Sequence, residues 1–96
     1  MTNRIYEQPA IVFDPAKDLI NRRKHGLSLA DADRLDFANV ILTIDDRVDY
    51  GETRYRAYGR VGGKGYALVF VQAGEETIRA ISFRRAREKE MRRYGA

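Results

Sequence analysis

The hydrophobic pattern changes period once, near Val40, and this splits the chain into a helical part followed by a strand part. Upstream, Asp14-Pro15 opens a helix, because the carboxylate can cap free amides and proline fits the first turn. Ala16, Leu19, Ile20 and Arg23 recur at three- and four-residue steps and read as its inner face. Gly26 suits a left-handed stop, which puts Lys24 and His25 in the last turn. Ser28, with Asp31 three residues later, resembles a capping box, so a second helix is expected to run to about Phe37.

Downstream, Val40 to Ile44 is rich in branched residues and reads as a strand, followed by an acidic, solvated turn from Asp45 to Glu52. Arg54 to Arg60 alternates: Arg54, Arg56, Tyr58 and Arg60 share one face, Tyr55, Ala57 and Gly59 the other. Gly62-Gly63-Lys64-Gly65 makes a hairpin into Tyr66 to Val71, whose nearly continuous apolar run marks a central strand. A fourth strand covers Thr77 to Phe83, and Ala86 to Tyr94 forms a last helix with Glu90 and Tyr94 on one side. The expected fold is α+β in one domain over residues 1–96: two N-terminal helices, a four-stranded antiparallel sheet and a C-terminal helix, with residues 1–11 as a flexible leader. One sheet face is covered and the other is free.

A chain of 96 residues has too small a core for an enclosed cofactor, so a substrate is expected in a surface groove. With no cysteine, disulfides and zinc-thiolate sites are excluded. No run of about twenty apolar residues is present and Met1-Thr2-Asn3-Arg4 leads into no signal-type apolar core, so the expected compartment is the cytosol, away from membranes. The net charge of +4 is unevenly spread. Asp31 to Glu52 holds seven carboxylates against two arginines, whereas Arg79 to the end holds seven cations against Glu88 and Glu90. Arginine outnumbers lysine 14 to 4, which suits phosphate, because the guanidinium fork binds two oxygens and stays charged. Arg54, Arg56, Arg79 and Arg84 can meet on the free face, although Arg79 and Arg84 have opposite parity and share a face only across a bulge or strand end.

Phe13-Asp14-Pro15-Ala16-Lys17, Asn21, Lys24-His25-Gly26, Ser28, Gly51-Glu52, Arg54, and Arg79-Ala80-Ile81-Ser82-Phe83-Arg84-Arg85-Ala86 with Glu90 and Tyr94 together resemble the BrnT family of type II toxins. The resemblance runs from Val12 to Tyr94, with Asp36 standing where the family usually has phenylalanine. It implies a RelE-like ribonuclease fold and RNA cleavage that arrests translation. It also implies a BrnA-type antitoxin with a ribbon-helix-helix domain, which neutralises the toxin and links it to operator DNA only through the complex.

Cutting RNA without a metal or other cofactor requires three things: a deprotonated 2′-hydroxyl, a protonated leaving oxygen and a stabilised pentacoordinate phosphate. His25, the only histidine, titrates nearest neutrality and is the candidate general acid or base. On its residues alone it reads first as a helix C-terminal cap, and it is the family resemblance that favours the catalytic reading. Lys24, Arg79 and Arg84 complete the expected catalytic set, and Arg54, Arg56, Arg85 and Glu52 the substrate-contacting set, with no metal ligands. Glu90 and Tyr94 read as fasteners of the last helix, and Ser82 has no evident partner for a nucleophilic role. A second class remains, in which the same basic face only grips nucleic acid or docks an acidic antitoxin segment.

Overall fold

In a computed structural model, residues 8–96 are described, and they form a five-stranded mixed sheet in the order β1-β5-β4-β3-β2. The elements are β1 (Ala10–Val12), α1 (Pro15–His25), a 3-10 helix (Leu29–Arg34), β2 (Ile41–Asp45), β3 (Arg54–Val61), β4 (Lys64–Gln72), β5 (Thr77–Arg85) and α2 (Glu88–Arg93). The α+β class and the antiparallel run β2 to β5 match the sequence reading, but the sheet has a fifth strand. β1 pairs parallel to β5, Ala10 facing Thr77 and Val12 facing Arg79, so the C-terminal end of the expected leader is sheet. Three residues are too few to show a period, and the partner lies far along the chain. The rest of that leader, residues 1–7, falls outside the described residues.

Helix α1 begins and ends as its caps dictate. Asp14 accepts a hydrogen bond from Ala16 N–H at 2.9 Å, and Gly26 closes the helix at φ 74°. Its expected inner face is overturned: Leu19 and Ile20 are 58% and 61% exposed, and the buried residue is Asn21, 4% exposed. The cause is the mode of attachment. Beyond Arg79 the outer edge of β5 has no strand partner among the described residues, and Asn21 takes that place. Its Nδ2 donates to Phe83 O at 2.9 Å and to Leu27 O at 2.8 Å, while Phe83 N–H donates to its Oδ1 at 3.0 Å. One amide thus does for β5 what a neighbouring strand would do. Asn21→Ala removes three hydrogen bonds, two of them buried, and leaves the Phe83 amide and carbonyl unpaired. The expected cost is about 2–4 kcal/mol, seen as a lower Tm in a thermal melt. An unchanged Tm would mean that the edge finds other partners.

The second helix is also corrected. The Ser28–Asp31 capping box forms, yet it starts a 3-10 helix that ends at Arg34. Leu29, Ala32 and Leu35 then turn into the core, and Phe37 meets Phe70 edge-on at 6.4 Å. Asp36 stays outside and accepts from Ala38 N–H at 3.1 Å. This layer covers one sheet face, packing on Ala57, Leu68, Phe70, Ile78, Ala80 and Phe83. On the opposite face, α2 covers only one end. Met91 seats on Gly65, where a Cβ would lie 2.5 Å from Met91 Cγ, and Tyr94 stacks on Tyr58 at 4.3 Å. The β3–β4 turn is Gly62-Gly63, both at positive φ as a tight hairpin requires.

The doubt over parity has a structural answer in β5. Val69 faces Ser82 but Phe70 faces Ala80, so Ile81 is an extra residue. Ile78, Ala80 and Phe83 therefore point into the core despite their mixed parity, and Arg79, Ser82 and Arg84 lie opposite Val71, Val69 and Ala67 on the other face.

Candidate functional site

Three cross-strand rows cover the part of the sheet face that α2 leaves open. Tyr58, Ala67 and Arg84 form one row, and Arg56, Val69 and Ser82 the next. Arg54 lies two residues from Arg56 on β3, just as Val71 and Arg79 close the third row on β4 and β5. The C-terminal turn of α1 stands beside these rows. Lys24, His25, Asp45, Arg47, Arg54, Arg56, Ser82 and Arg84 line a cavity of about 240 Å³ floored by Val69 and Ile81. Its walls carry five permanent cations and one carboxylate, an excess suited to a polyanion.

The arginines are held in place by a relay of counter-charges. Arg84 donates from Nη1 to Glu90 Oε1 at 3.0 Å and from Nη2 to Glu90 Oε2 at 2.7 Å, and Nη1 also donates to Arg85 O at 3.2 Å. A guanidinium has five N–H donors, so two remain for a ligand. Tyr58 Oη donates to Glu90 at 3.3 Å and accepts from Arg56 Nη1 at 3.0 Å. Arg56 Nη2 lies 3.5 Å from Asp45, which in turn accepts two bonds from Arg47 at 2.7 and 2.8 Å. Arg54 stacks its guanidinium 3.9 Å over Tyr50 and pairs with Glu52 at 3.5 Å.

These contacts move the ionisations as expected from their chemistry. The two bonds from Arg84 hold Glu90 below the usual carboxylate range, and those from Arg47 do the same for Asp45. Glu90 in return raises Arg84, while burial raises Tyr58. His25 is pushed below the ordinary imidazole value, first by partial burial and then by the charges of Lys24 and Arg84. The shift favours the neutral imidazole, the form that can accept a proton.

The structure brings Lys24, His25, Arg54, Arg56 and Arg84 to one cavity. Arg79 and Glu52 line the adjoining cavity instead. Arg85 is not with them: it pairs with Tyr66 on the core-side face, where its Nε donates to Gly65 O. Asp45 was expected in a solvated turn but is 5% exposed and paired, because it ends β2 opposite Arg54 instead of entering the loop. Asp45, Arg47 and the Tyr58–Glu90 contact are the features of this cavity and its supports that the sequence reading missed. The only signal for the last is that Tyr58 shares a strand face with Arg56. Among the described residues, no three His, Cys, Asp or Glu side chains group to hold a metal ion.

The chain is thus a small α+β domain with a cationic groove on its open sheet face and a single imidazole at the rim. The chain belongs to the BrnT family: the profile of the ribonuclease toxin BrnT of type II toxin-antitoxin systems matches residues 13–90. The crystal structure of the Brucella abortus ribonuclease toxin BrnT is similar, with a TM-score of 0.61 and 29% identity over 83% of this chain and 99% of that one. Among curated proteins, no sequence matches significantly. No helix among the described residues is long and apolar enough to cross a membrane.

Proposed function

We propose that the protein cleaves single-stranded RNA without a metal ion, in the cavity shared by Lys24, His25, Arg56 and Arg84, and thereby arrests translation. The observation that carries this reading is the placement of the single imidazole, His25, in one cavity with Lys24, Arg56 and Arg84. His25 takes the proton from the 2′-hydroxyl, whose oxygen attacks the adjacent phosphorus. The bond to the 5′-oxygen breaks as that oxygen gains a proton, leaving a 2′,3′-cyclic phosphate and a 5′-hydroxyl. Lys24 supplies an ammonium on the same rim, and the two free donors of Arg84, with Arg56, meet the charge that develops on the phosphate. The family's place in type II toxin-antitoxin systems supports a BrnA-type antitoxin as partner, which covers the groove and carries any contact with operator DNA.

The test is cleavage of labelled single-stranded RNA by purified protein in EDTA. Cleavage to cyclic-phosphate ends supports the reading. Tight binding without cleavage at any pH would leave a nucleic-acid-gripping module instead.

The position of His25 also sets the pH dependence. Its folded pKa lies below 6.5, so the base is competent above that value and kcat/KM falls as pH drops through the depressed pKa. Stability rises with pH over the same window, between the folded pKa and 6.5, because the unfolded chain binds the proton more readily. As the chain has a single histidine, one imidazole NMR signal reports this titration directly. Its midpoint is expected below 6.5 and moves up in Arg84→Ala, which removes a repelling charge. A midpoint above 6.5 in the parent would remove His25 from the role of base.

A further inference from the structure

Ile81, the extra residue of β5, lines three adjoining depressions, of about 160, 240 and 400 Å³. The middle one holds His25 and Arg84. The largest is lined by Arg79 and Lys17 and shares Arg54 and Ile81 with its neighbour. Two carboxylates face the same space, but both are engaged: Asp14 caps α1, and Glu52 pairs with Arg54. Arg79 and Lys17 have no ion pair among the described residues. They are cations set in a groove wall, and no described carboxylate pairs with them.

The spacing of the rows adds a second observation. The Arg56 row and the Arg54–Arg79 row are one strand repeat apart, about 6.6–6.8 Å, which is close to the step between successive phosphates of an extended single strand. Across the groove, β3 and β5 are separated by one strand, about 9–10 Å, wide enough for one nucleic-acid backbone and too narrow for a duplex. Ile81 lies at the junction and offers an apolar surface to a base held between the two rows.

We propose that Arg79 and Lys17 form a second phosphate subsite, so that the substrate lies along the strands with its scissile phosphate at Arg56, where Arg84 reaches in from one row beyond, and the neighbouring phosphate at Arg79. The proposal rests on the ribonuclease reading for the identity of the ligand, and it moves Arg79 from the catalytic centre to the flanking site. It predicts that a substrate with a single phosphate uses only half of the groove.

Binding separates the two claims. Fluorescent oligoribonucleotides of two and four nucleotides, without terminal phosphate, are titrated against the His25→Ala protein, whose cleavage is slow on the timescale of binding. The tetranucleotide is expected to bind at least about tenfold more tightly. Adding Lys17→Ala and Arg79→Ala is expected to abolish that preference and to reduce the slope of log K against log salt by about 0.7, for the one phosphate released. Arg93→Ala, exposed on α2 outside the groove, changes neither length. If the double change keeps the preference, or weakens both lengths in proportion, the subsite is wrong, as it is if neither oligonucleotide binds. If the parent binds with this length dependence and cleaves nothing, the subsite stands and the ribonuclease assignment fails.

Discussion

His25→Ala lowers the rate of RNA cleavage in EDTA by about two to four orders of magnitude, the usual worth of a positioned general base, and leaves Tm within a few degrees. Activity is expected to fall without unfolding because His25 sits at the end of α1, where Gly26 stops the helix and Asn21 ties it to β5. Neither device uses the imidazole. RNA affinity is held by the arginines, so kcat falls and KM changes little. The comparison needs parent and variant prepared identically, with product ends mapped on the same labelled strand. Equal cleavage by both proteins would place the activity at another site or in a contaminating nuclease.

Arg84→Ala is expected to cost about 10²- to 10³-fold in kcat, as for the loss of one preset donor to a developing oxyanion. Two further effects distinguish it from the loss of a simple phosphate contact. Glu90 and the Tyr58 hydroxyl lose the cation that organises them, so the end of α2 loosens and thermal stability falls. Arg84→Lys is expected to recover little, since one ammonium cannot bridge both Glu90 oxygens and still reach the substrate. Glu90→Gln tests the relay from the other side. It leaves the Arg84 donors in place but less firmly aimed, and the expected loss is smaller than that of Arg84→Ala and confined to kcat. A Glu90→Gln variant as impaired as Arg84→Ala would show that the carboxylate itself takes part in the chemistry.

Local signals in the chain were enough to define α1 with its caps, the β2 to β5 meander, the Gly62-Gly63 hairpin and the one-sided arginine face of β3. Each depends on residues close in sequence. The failures involve distant partners. β1 is three residues long and exists because Thr77 to Arg79 offers it an edge. Leu19 and Ile20 mark a helical face that stays exposed among the described residues, since a single polar side chain does the anchoring. At the site, His25, Lys24, Arg54, Arg56, Arg84 and the Glu52 that pairs with Arg54 were recognisable by charge and motif, but Asp45 and Glu90 were not recognisable as counter-ions. Asp45 looks like a loop residue until β2 is paired with β3, and Glu90 reaches Arg84 only once α2 has folded back over Tyr58.

The extra residue in β5 gives length along that strand a role separate from the identity of its side chains. Residues on either side of Ile81 face the groove or the core according to how many positions separate them, so an insertion or deletion there moves arginines between solvent and interior as a block. Exchange of Ile81 for another apolar residue leaves that count intact. Within this part of the chain, drift in composition and drift in length therefore carry different risks. Among relatives that keep an arginine-lined groove, the interval between Arg79 and Arg84 is the quantity expected to stay constant.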